Sequence, residues 1–349
     1  MIGRFARQAS KHQLKATFAT QELSIRDALR SAMREEMERD EKVFLMGEEV
    51  GVYQGAYKVS GDLHQQFGDA RVLDTPITEH GFTGIAVGAS MAGLRPILEY
   101  MTWNFALQAV DQIVNSCAKG RYMSAGDLKC PIVFRGLNGP AAAVAAQHSQ
   151  CFAQMYANIP GLRVVSVYDS EDARGMLKSA IRDPNPVIFL ENELMYGKSF
   201  QVTDEMMDPE YLVSLDKAKV MREGTDVTIT AFSRMVGLAL EAAEELEKQG
   251  ISAEVINLRT IKPLDRATII QSVRKTHRLV SVEDGYPQHG VGAEIMAMAF
   301  ESLFDELDAP VERVSAWDIP LPYARHLEYA SLPQRDNIIQ AAAKTYEGN

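Results

Sequence analysis

The sequence is poor in cysteine, in long apolar runs and in net positive charge. Its three cysteines, Cys117, Cys130 and Cys151, are odd in number and form no CxxC pair. A disulfide framework is therefore not expected. We expect buried structural thiols in a reducing compartment instead. No uninterrupted apolar stretch approaches the roughly 18–20 residues that span a bilayer. The net charge of −11 argues against nucleic acid as a partner, because phosphate binding needs a basic stripe.

Several motifs that mark common active sites are absent as well. The sequence contains no GxGxxG after a strand, no GxxxxGK[ST], no HExxH and no GxSxG. Dinucleotide binding, a P-loop, a zinc peptidase and a hydrolase nucleophile elbow are all disfavoured. The seven histidines are dispersed along the chain, so a dedicated transition-metal cluster is not predicted.

Strand-like and helix-like segments alternate throughout the 349 residues, a length typical of about two domains. Ser24 and Asp265 are placed to begin helices, and short apolar runs such as 43–47 predict buried strands. This alternation predicts an α/β protein with parallel sheets and right-handed crossovers. The apolar rhythm lapses near residue 200. We therefore expect domains over 22–205 and 223–349, joined by a linker at 206–222.

The first 21 residues differ in composition from the rest of the chain. They carry four basic residues, several Ser and Thr residues, scattered apolar residues and no acid. This composition is typical of a mitochondrial transit peptide, and it lacks the continuous apolar centre of a secretory signal. A disordered basic tail is the alternative interpretation.

Three polar residues stand out because their neighbours are apolar or small. Glu48 follows the strand at 43–47, Glu79 enters the small-residue run 81–93, and His148 ends the nearly featureless run 141–147. The loops after strands are where open α/β sheets place their sites. Each residue also has a structural interpretation; Glu79, for example, could complement a helix dipole. The pattern alone leaves both possibilities open.

Longer blocks of sequence carry a resemblance to a known family. They include "DTPITEHGFTGIAVGASMAGLRPILE", "NFALQAVDQIVNS", "AAQHSQ", "NPVIFLENELMYG" and "EVINLRTIKPLD". These blocks resemble the β subunits of pyruvate dehydrogenase components, which are thiamine-diphosphate-dependent enzymes, and the likeness runs from about residue 22 to the C-terminus. The resemblance implies a pyrimidine-binding α/β domain followed by a transketolase C-terminal-like α/β domain. It also implies oxidative decarboxylation of pyruvate and acetylation of lipoyl groups in the mitochondrial matrix.

The resemblance assigns roles to four of the residues. It implies that Glu79 hydrogen-bonds N1′ of the cofactor's aminopyrimidine, and that Phe105 packs against that ring. His148 is expected to line the active-site channel, where it would assist acyl transfer to lipoamide. Glu48 is expected in a water-filled path between two active sites. The alternative role for Phe105 is plain core packing. The alternative role for Glu48 is a helix cap or a salt bridge.

A cation site and two protein partners are implied by the same resemblance. The residues whose positions match potassium-binding carbonyls are Ile132, Ala180, Ile181, Asp183 and Asn185. Thiamine enzymes hold Mg²⁺ and diphosphate with a GDG motif, which this chain lacks. An α subunit is therefore expected to supply that half of the site in an α₂β₂ heterotetramer. Asp308 is expected to help dock the dihydrolipoyl acetyltransferase core.

Three alternatives remain open from the sequence. The nearest is the β subunit of the branched-chain 2-oxoacid dehydrogenase component, which shares the glutamate and the "HSQ". The second is a non-catalytic scaffold. The third is a free-standing transketolase-like enzyme, and the missing diphosphate motif disfavours this third alternative. His80 departs from the family, where an apolar residue usually follows the glutamate. A charged His80 beside Glu79 would favour the ionised carboxylate.

Overall fold

The computed structural model describes residues 20–348, which contain fourteen strands and thirteen α-helices. The strands are β1 Thr20–Ser24, β2 Val43–Gly47, β3 Val72–Asp74, β4 Arg95–Glu99, β5 Val133–Leu137, β6 Arg163–Ser166, β7 Val187–Glu191, β8 Ser199–Thr203, β9 Lys219–Arg222, β10 Val227–Ala231, β11 Ala253–Asn257, β12 Thr260–Lys262, β13 Leu279–Val282 and β14 Glu312–Val314. The predicted leader 1–21 lies outside the described residues, except for its last two, which begin β1.

The helices complete the alternation that the sequence predicts. They are α1 Ile25–Arg39, α2 Leu63–Phe67, α3 Glu79–Met91, α4 Trp103–Ala106, α5 Ala118–Met123, α6 Ala153–Ala157, α7 Leu177–Arg182, α8 Asp204–Met207, α9 Met235–Lys248, α10 Arg266–Thr276, α11 Val291–Leu303, α12 Arg325–Ser331 and α13 Arg335–Glu347. Two π-helical segments, Gln112–Cys117 and Asp172–Met176, lead directly into α5 and α7. Within residues 20–348, no helix combines the length and the apolar character needed to cross a membrane.

Besides an antiparallel pair formed by β1 and β8, two larger sheets confirm the predicted α/β fold with two domains. The first has seven strands in the order β12-β6-β7-β5-β4-β2-β3, and the second has five in the order β14-β13-β10-β11-β9. Pairing is parallel except at one edge of each sheet, where β12 and β9 run antiparallel to their neighbours. β9 lies inside the segment 206–222 that the sequence predicts as a linker. Its half-buried residues gave no strand pattern clear enough to recognise.

Strand β12 joins the two domains. It follows β11 of the second sheet, yet it pairs with β6 of the first, and Ser166 N–H donates to the Arg259 carbonyl at 2.8 Å just before this pairing. The exposed edge of β6 is thereby covered by a strand from the other domain, which removes an aggregation-prone edge. The second domain is held against the first by backbone hydrogen bonds as well as by side chains.

The predicted helix starts are confirmed at atomic detail. The Ser24 hydroxyl accepts from the backbone N–H of Asp27 at 3.1 Å, and Asp265 caps α10 by accepting from Thr268 N–H at 3.3 Å. Such caps satisfy backbone donors that have no partner within the helix. The apolar stripe of α1, from Ile25 to Met37, is buried against the first sheet, as its helical spacing predicts.

A charged triad crosses the middle of the first sheet. Arg135 of β5 is fully buried, donates from Nε to Glu191 at 2.7 Å and also pairs with Glu99 on β4. Tyr196 donates to the same Glu191 carboxylate at 2.5 Å. Burial raises the pKa of Glu99, and the Arg135 cation opposes that rise. The triad ties together the three central strands β4, β5 and β7.

Candidate active site

Glu79 is the first residue of α3 and lies at the carboxyl edge of the first sheet. Its side chain is buried, and Oε2 has no hydrogen-bond partner among the described residues. The small residues of α3 allow one close approach: a Cβ on Gly84 would lie 3.4 Å from the Gln112 side chain. The carboxylate of Glu79 therefore has one oxygen that the described part of the chain leaves unpaired.

A second carboxylate of the same kind follows β2. Glu48 is buried, and its Oε1 also has no partner among the described residues. Burial, and to a lesser degree the charge of Glu79, raises the pKa of Glu48 to about 7. Glu48 follows β2 and Glu79 follows β3, which are neighbouring parallel strands, so both residues lie at the same carboxyl edge of the sheet.

The structure also brings Phe105 and His148 together. Their ring centroids are 5.1 Å apart at an interplanar angle of 81°, an edge-to-face contact. Phe105 lies on α4 and is half-buried, whereas His148 is exposed in the loop after β5. Asn104 fixes this arrangement, because its side-chain oxygen accepts from the backbone N–H of Gln150 at 3.2 Å and from the Gln150 side chain at 3.1 Å.

Tyr100 connects the glutamate helix to this aromatic pair. Its hydroxyl lies 2.7 Å from the hydroxyl of Thr83 on α3, and its ring is 5.9 Å from that of Phe82. On the other side the Tyr100 ring contacts Trp103, which begins α4, at 5.4 Å. Glu48, Glu79, Phe105 and His148 therefore share the carboxyl edge formed by β3, β2, β4 and β5, which are adjacent in that order.

The loop that carries His148 has strained backbone that the sequence did not reveal. Ala143 and Ala145 have φ values of 55° and 63°, a region that residues with a Cβ adopt only rarely. The side chain of Glu328, on α12 of the second domain, accepts from Ala143 N–H at 3.0 Å and so helps to hold this conformation. Strain of this kind clusters at functional sites. The sequence gives no signal of this strained backbone, because an alanine run has no special pattern and Glu328 is distant along the chain.

His80 lies beside an amide side chain. Its own side chain is exposed, and its Nε2 lies 3.4 Å from Nε2 of Gln112 in the π-helical segment before α5. The unusual residue thus contacts a neutral group. Its proposed influence on Glu79 remains a hypothesis.

The five predicted cation ligands lie together at the opposite, amino edge of the first sheet. Arg95 at the start of β4 donates from Nη1 to the Ile181 carbonyl at 2.9 Å and to the Asp183 carbonyl at 3.5 Å. The Ala180 carbonyl accepts from Asp183 N–H at 3.3 Å, and the Ile132 carbonyl accepts from Val187 N–H at 2.9 Å. The oxygens of Ile181 and Asp183 thus converge on a positive group, which here is the guanidinium of Arg95.

Asn185 completes this turn through its side chain. Its backbone N–H donates to the Asp183 carboxylate at 2.7 Å, and its side-chain oxygen accepts from Arg121 at 2.6 Å. Among residues 20–348, no group of three or more His, Cys, Asp or Glu side chains is arranged to hold a metal ion. A cation at this edge would therefore depend on carbonyl oxygens, which suit hard cations.

Comparison with known families identifies the class to which this fold and site belong. Residues 21–198 match the family described as "Transketolase, pyrimidine binding domain", and residues 216–338 match "Transketolase, C-terminal domain". A solved "Split gene transketolase, inactive beta4 tetramer" has the same fold, with a TM-score of 0.74 and 23% identity over 93% of this chain and 99% of that one. The protein is a two-domain member of the thiamine-diphosphate-dependent transketolase class.

Curated relatives narrow that class to one family. The chain is 62% identical over 326 residues to "Pyruvate dehydrogenase E1 component subunit beta-1, mitochondrial" of Oryza sativa subsp. japonica, covering 93% of this chain and 87% of that protein. It is 60% identical over 331 residues to the corresponding β subunit of Drosophila melanogaster and 58% identical over 328 to that of Rattus norvegicus. The chain belongs to the pyruvate dehydrogenase E1 β-subunit family, as its sequence blocks predict.

Proposed function

We propose that the chain works as the β half of an α₂β₂ pyruvate dehydrogenase that decarboxylates pyruvate and acetylates lipoyl groups. The observation that carries this proposal is Oε2 of Glu79, a buried carboxylate oxygen at the end of a parallel sheet that has no hydrogen-bond partner among residues 20–348. Leaving a buried acceptor unsatisfied costs about 1–3 kcal/mol, so its presence supports a donor from a bound ligand. The relatives' names add the substrate, pyruvate.

The donor that fits Glu79 is the N1′–H of an aminopyrimidine. Bound thiamine diphosphate supplies the carbon nucleophile that adds to the carbonyl of a 2-oxoacid. Glu79 would share a proton with N1′, and this favours the imino form of the neighbouring amino group, the base needed near that carbon. Because the site is buried, the hydrogen bond is stronger than it would be in water.

Glu48 would hold a second proton beside Glu79. With a pKa of about 7, its carboxyl is protonated about half the time near neutral pH. A group of this kind can give up or take back a proton at low cost. We assign it a relay role between Glu79 and the water path toward the second active site of the heterotetramer.

Phe105 and His148 would form the wall and the rim of the site. Phe105 presents an aromatic surface on which an aminopyrimidine ring can pack, while its contact with His148 fixes its orientation. His148 is exposed, so an incoming lipoyl group could meet it. We assign it the hydrogen bond or proton that acyl transfer to the lipoyl sulfur needs.

The open side of the site is proposed to face the α subunit, which would hold the diphosphate and Mg²⁺. Val52 and Tyr53 follow β2 and Ile77 precedes α3; all three are largely exposed although they are apolar or aromatic. Asp74 joins the two loops by accepting from Gly51 N–H at 2.6 Å. Exposed apolar residues grouped around an incomplete site are typical of a subunit interface.

Three further parts of the proposal rest mainly on the family. A potassium ion would use carbonyl oxygens at the turn around Ile181 and Asp183, where Arg95 already shows that two of them converge. Asp308 would help to dock the acetyltransferase core; it is exposed, although it pairs with Arg278 at 3.2 Å. The leader and the relatives' mitochondrial names support residence in the mitochondrial matrix.

The decisive experiment replaces Glu79 in the assembled protein. The variant E79Q, co-expressed with the α subunit, should form the heterotetramer but lose pyruvate decarboxylation by about 10²-fold or more. The matched control is E49Q, which alters an exposed glutamate two residues from the strand end. Turnover of 2-oxoisovalerate, measured beside pyruvate, should be the slower of the two in the wild type. Full activity in E79Q would refute the proposed role.

A further inference from the structure

Two of the three cysteines meet in the first domain although they are well separated in sequence. Sγ of Cys117 lies 2.7 Å from Sγ of Cys130, and both side chains are buried. Cys117 ends the π-helical segment before α5, and Cys130 lies just before β5. A disulfide has an S–S length of about 2.05 Å, so only a small movement separates this thiol pair from a bond.

A cavity lies beside the pair. Its volume is about 610 Å³, and its walls include both cysteines together with Arg121, Tyr122 and Pro184. Tyr122 is 90% exposed, so the cavity opens to the surface beside α5. Cys117 is fully buried and Cys130 is 2% exposed, so a small oxidant in the cavity meets the pair from the side of Cys130.

The environments of the two thiols differ in a way that suits oxidation. Sγ of Cys130 also lies 2.9 Å from the Ser90 hydroxyl, and Cys130 is the member of the pair that keeps some exposed surface. The thiolate is the nucleophile in thiol oxidation, so the cysteine that an oxidant can touch, Cys130, reacts first.

We propose that Cys117 and Cys130 are a redox modification site that forms a reversible disulfide in the presence of hydrogen peroxide. The Cys130 thiolate attacks one peroxide oxygen and releases hydroxide, which leaves a sulfenic acid. The Cys117 thiol then attacks this sulfur, forms the S–S bond and releases water. Overall, two thiols and one peroxide give one disulfide and two water molecules.

Cys151 provides an internal control. It is buried and lies outside the cavity walls, and its sulfur accepts a hydrogen bond from the Asn138 amide at 3.3 Å. Burial, together with the nearby charge of Asp284, raises its pKa. It should stay reduced under conditions that oxidise the other two.

The test uses the heterotetramer assembled with the α subunit. The protein is treated with hydrogen peroxide, its free thiols are alkylated in denaturant, and it is digested with trypsin. Trypsin cuts after Lys119 and Lys129, so the two cysteines fall in separate peptides, residues 72–119 and 130–135. We expect these peptides to be joined after peroxide treatment and released by a thiol reductant, with Cys151 alkylated throughout.

Variants check that the cross-link is specific. C117A and C130A should each abolish it, whereas C151S should leave it unchanged. If a variant folds poorly, the wild-type peptide map decides the question alone. Peroxide treatment that leaves both thiols alkylated would overturn the proposal. Over-oxidation of Cys130 with Cys117 still free would also overturn it, as would a cross-link that includes Cys151.

Discussion

Replacing Glu48 by glutamine should change how the stability of the first domain depends on pH. Glu48 is buried, its Oε1 has no partner among the described residues, and its pKa is raised from 4.5 to about 7. Below about pH 4.5 the carboxyl is protonated in both the folded and the unfolded chain, so it costs nothing. As the pH rises, the unfolded chain ionises first, and stability is lost up to about pH 7.

The size of this loss follows from the two pKa values. The penalty is about 1 kcal/mol at pH 5 and about 3 kcal/mol at pH 8, because each pKa unit corresponds to about 1.4 kcal/mol. Glutamine is neutral at every pH and removes the penalty. The stability of E48Q relative to wild type should therefore increase by about 2 kcal/mol between pH 5 and pH 8.

Urea denaturation of the full chain measures this difference. Trp103 is a suitable probe, since it is fully buried, with ring centroids 5.4 Å from Tyr100 and 5.0 Å from Tyr156. The control is E49Q, which makes the same substitution at an exposed glutamate of the same loop. If the difference between E48Q and wild type stays constant within about 0.5 kcal/mol from pH 5 to pH 8, the assigned protonation is wrong.

Two further predictions concern the first sheet. Arg135→Met should lower the free energy of unfolding by about 3–5 kcal/mol in a urea titration, since it leaves the carboxylates of Glu99 and Glu191 buried without their cation; a loss below about 1 kcal/mol would show that water or another cation compensates. Replacing Na⁺ by K⁺ should raise the melting temperature, and the gain should be larger in Arg95→Met, where the carbonyls of Ile181 and Asp183 lose their guanidinium. Equal melting in both salts would contradict the cation site.

Much of the fold could be predicted because it depends on local signals. The capping residue of α1, the apolar stripe behind it and the all-buried strands β2, β7 and β10 are each visible within a short stretch of sequence. The exceptions are elements whose place depends on distant partners. β12 has only three residues, and nothing in them shows that they pair with β6 of the other domain. Pairing between domains has no local signature.

The site shows the same division between local and distant information. The pattern singles out Glu48 after a buried strand, Glu79 at the entry of a small-residue run and His148 after a run of small residues, because a polar residue is conspicuous in each of these settings. It does not show that Phe105 meets His148, that Ala143 is strained, or that Cys117 touches Cys130. Those facts depend on how loops return to the sheet. The chemistry assigned to Glu79 came from the resemblance to a family, since an acid in a helix first turn has an ordinary structural role.

The arrangement of unsatisfied atoms supports the proposal that this chain is one half of a site. Within residues 20–348, Oε2 of Glu79 and Oε1 of Glu48 are both buried without hydrogen-bond partners, at the edge where Val52 and Ile77 are exposed to solvent. Each orphaned acceptor costs about 1–3 kcal/mol, and exposed apolar side chains add a further cost. A chain that folded only for its own stability would place neither feature there. In the proposed assembly a second subunit would cover the apolar side chains and the cofactor would donate to Glu79, so cofactor binding and subunit assembly should stabilise each other.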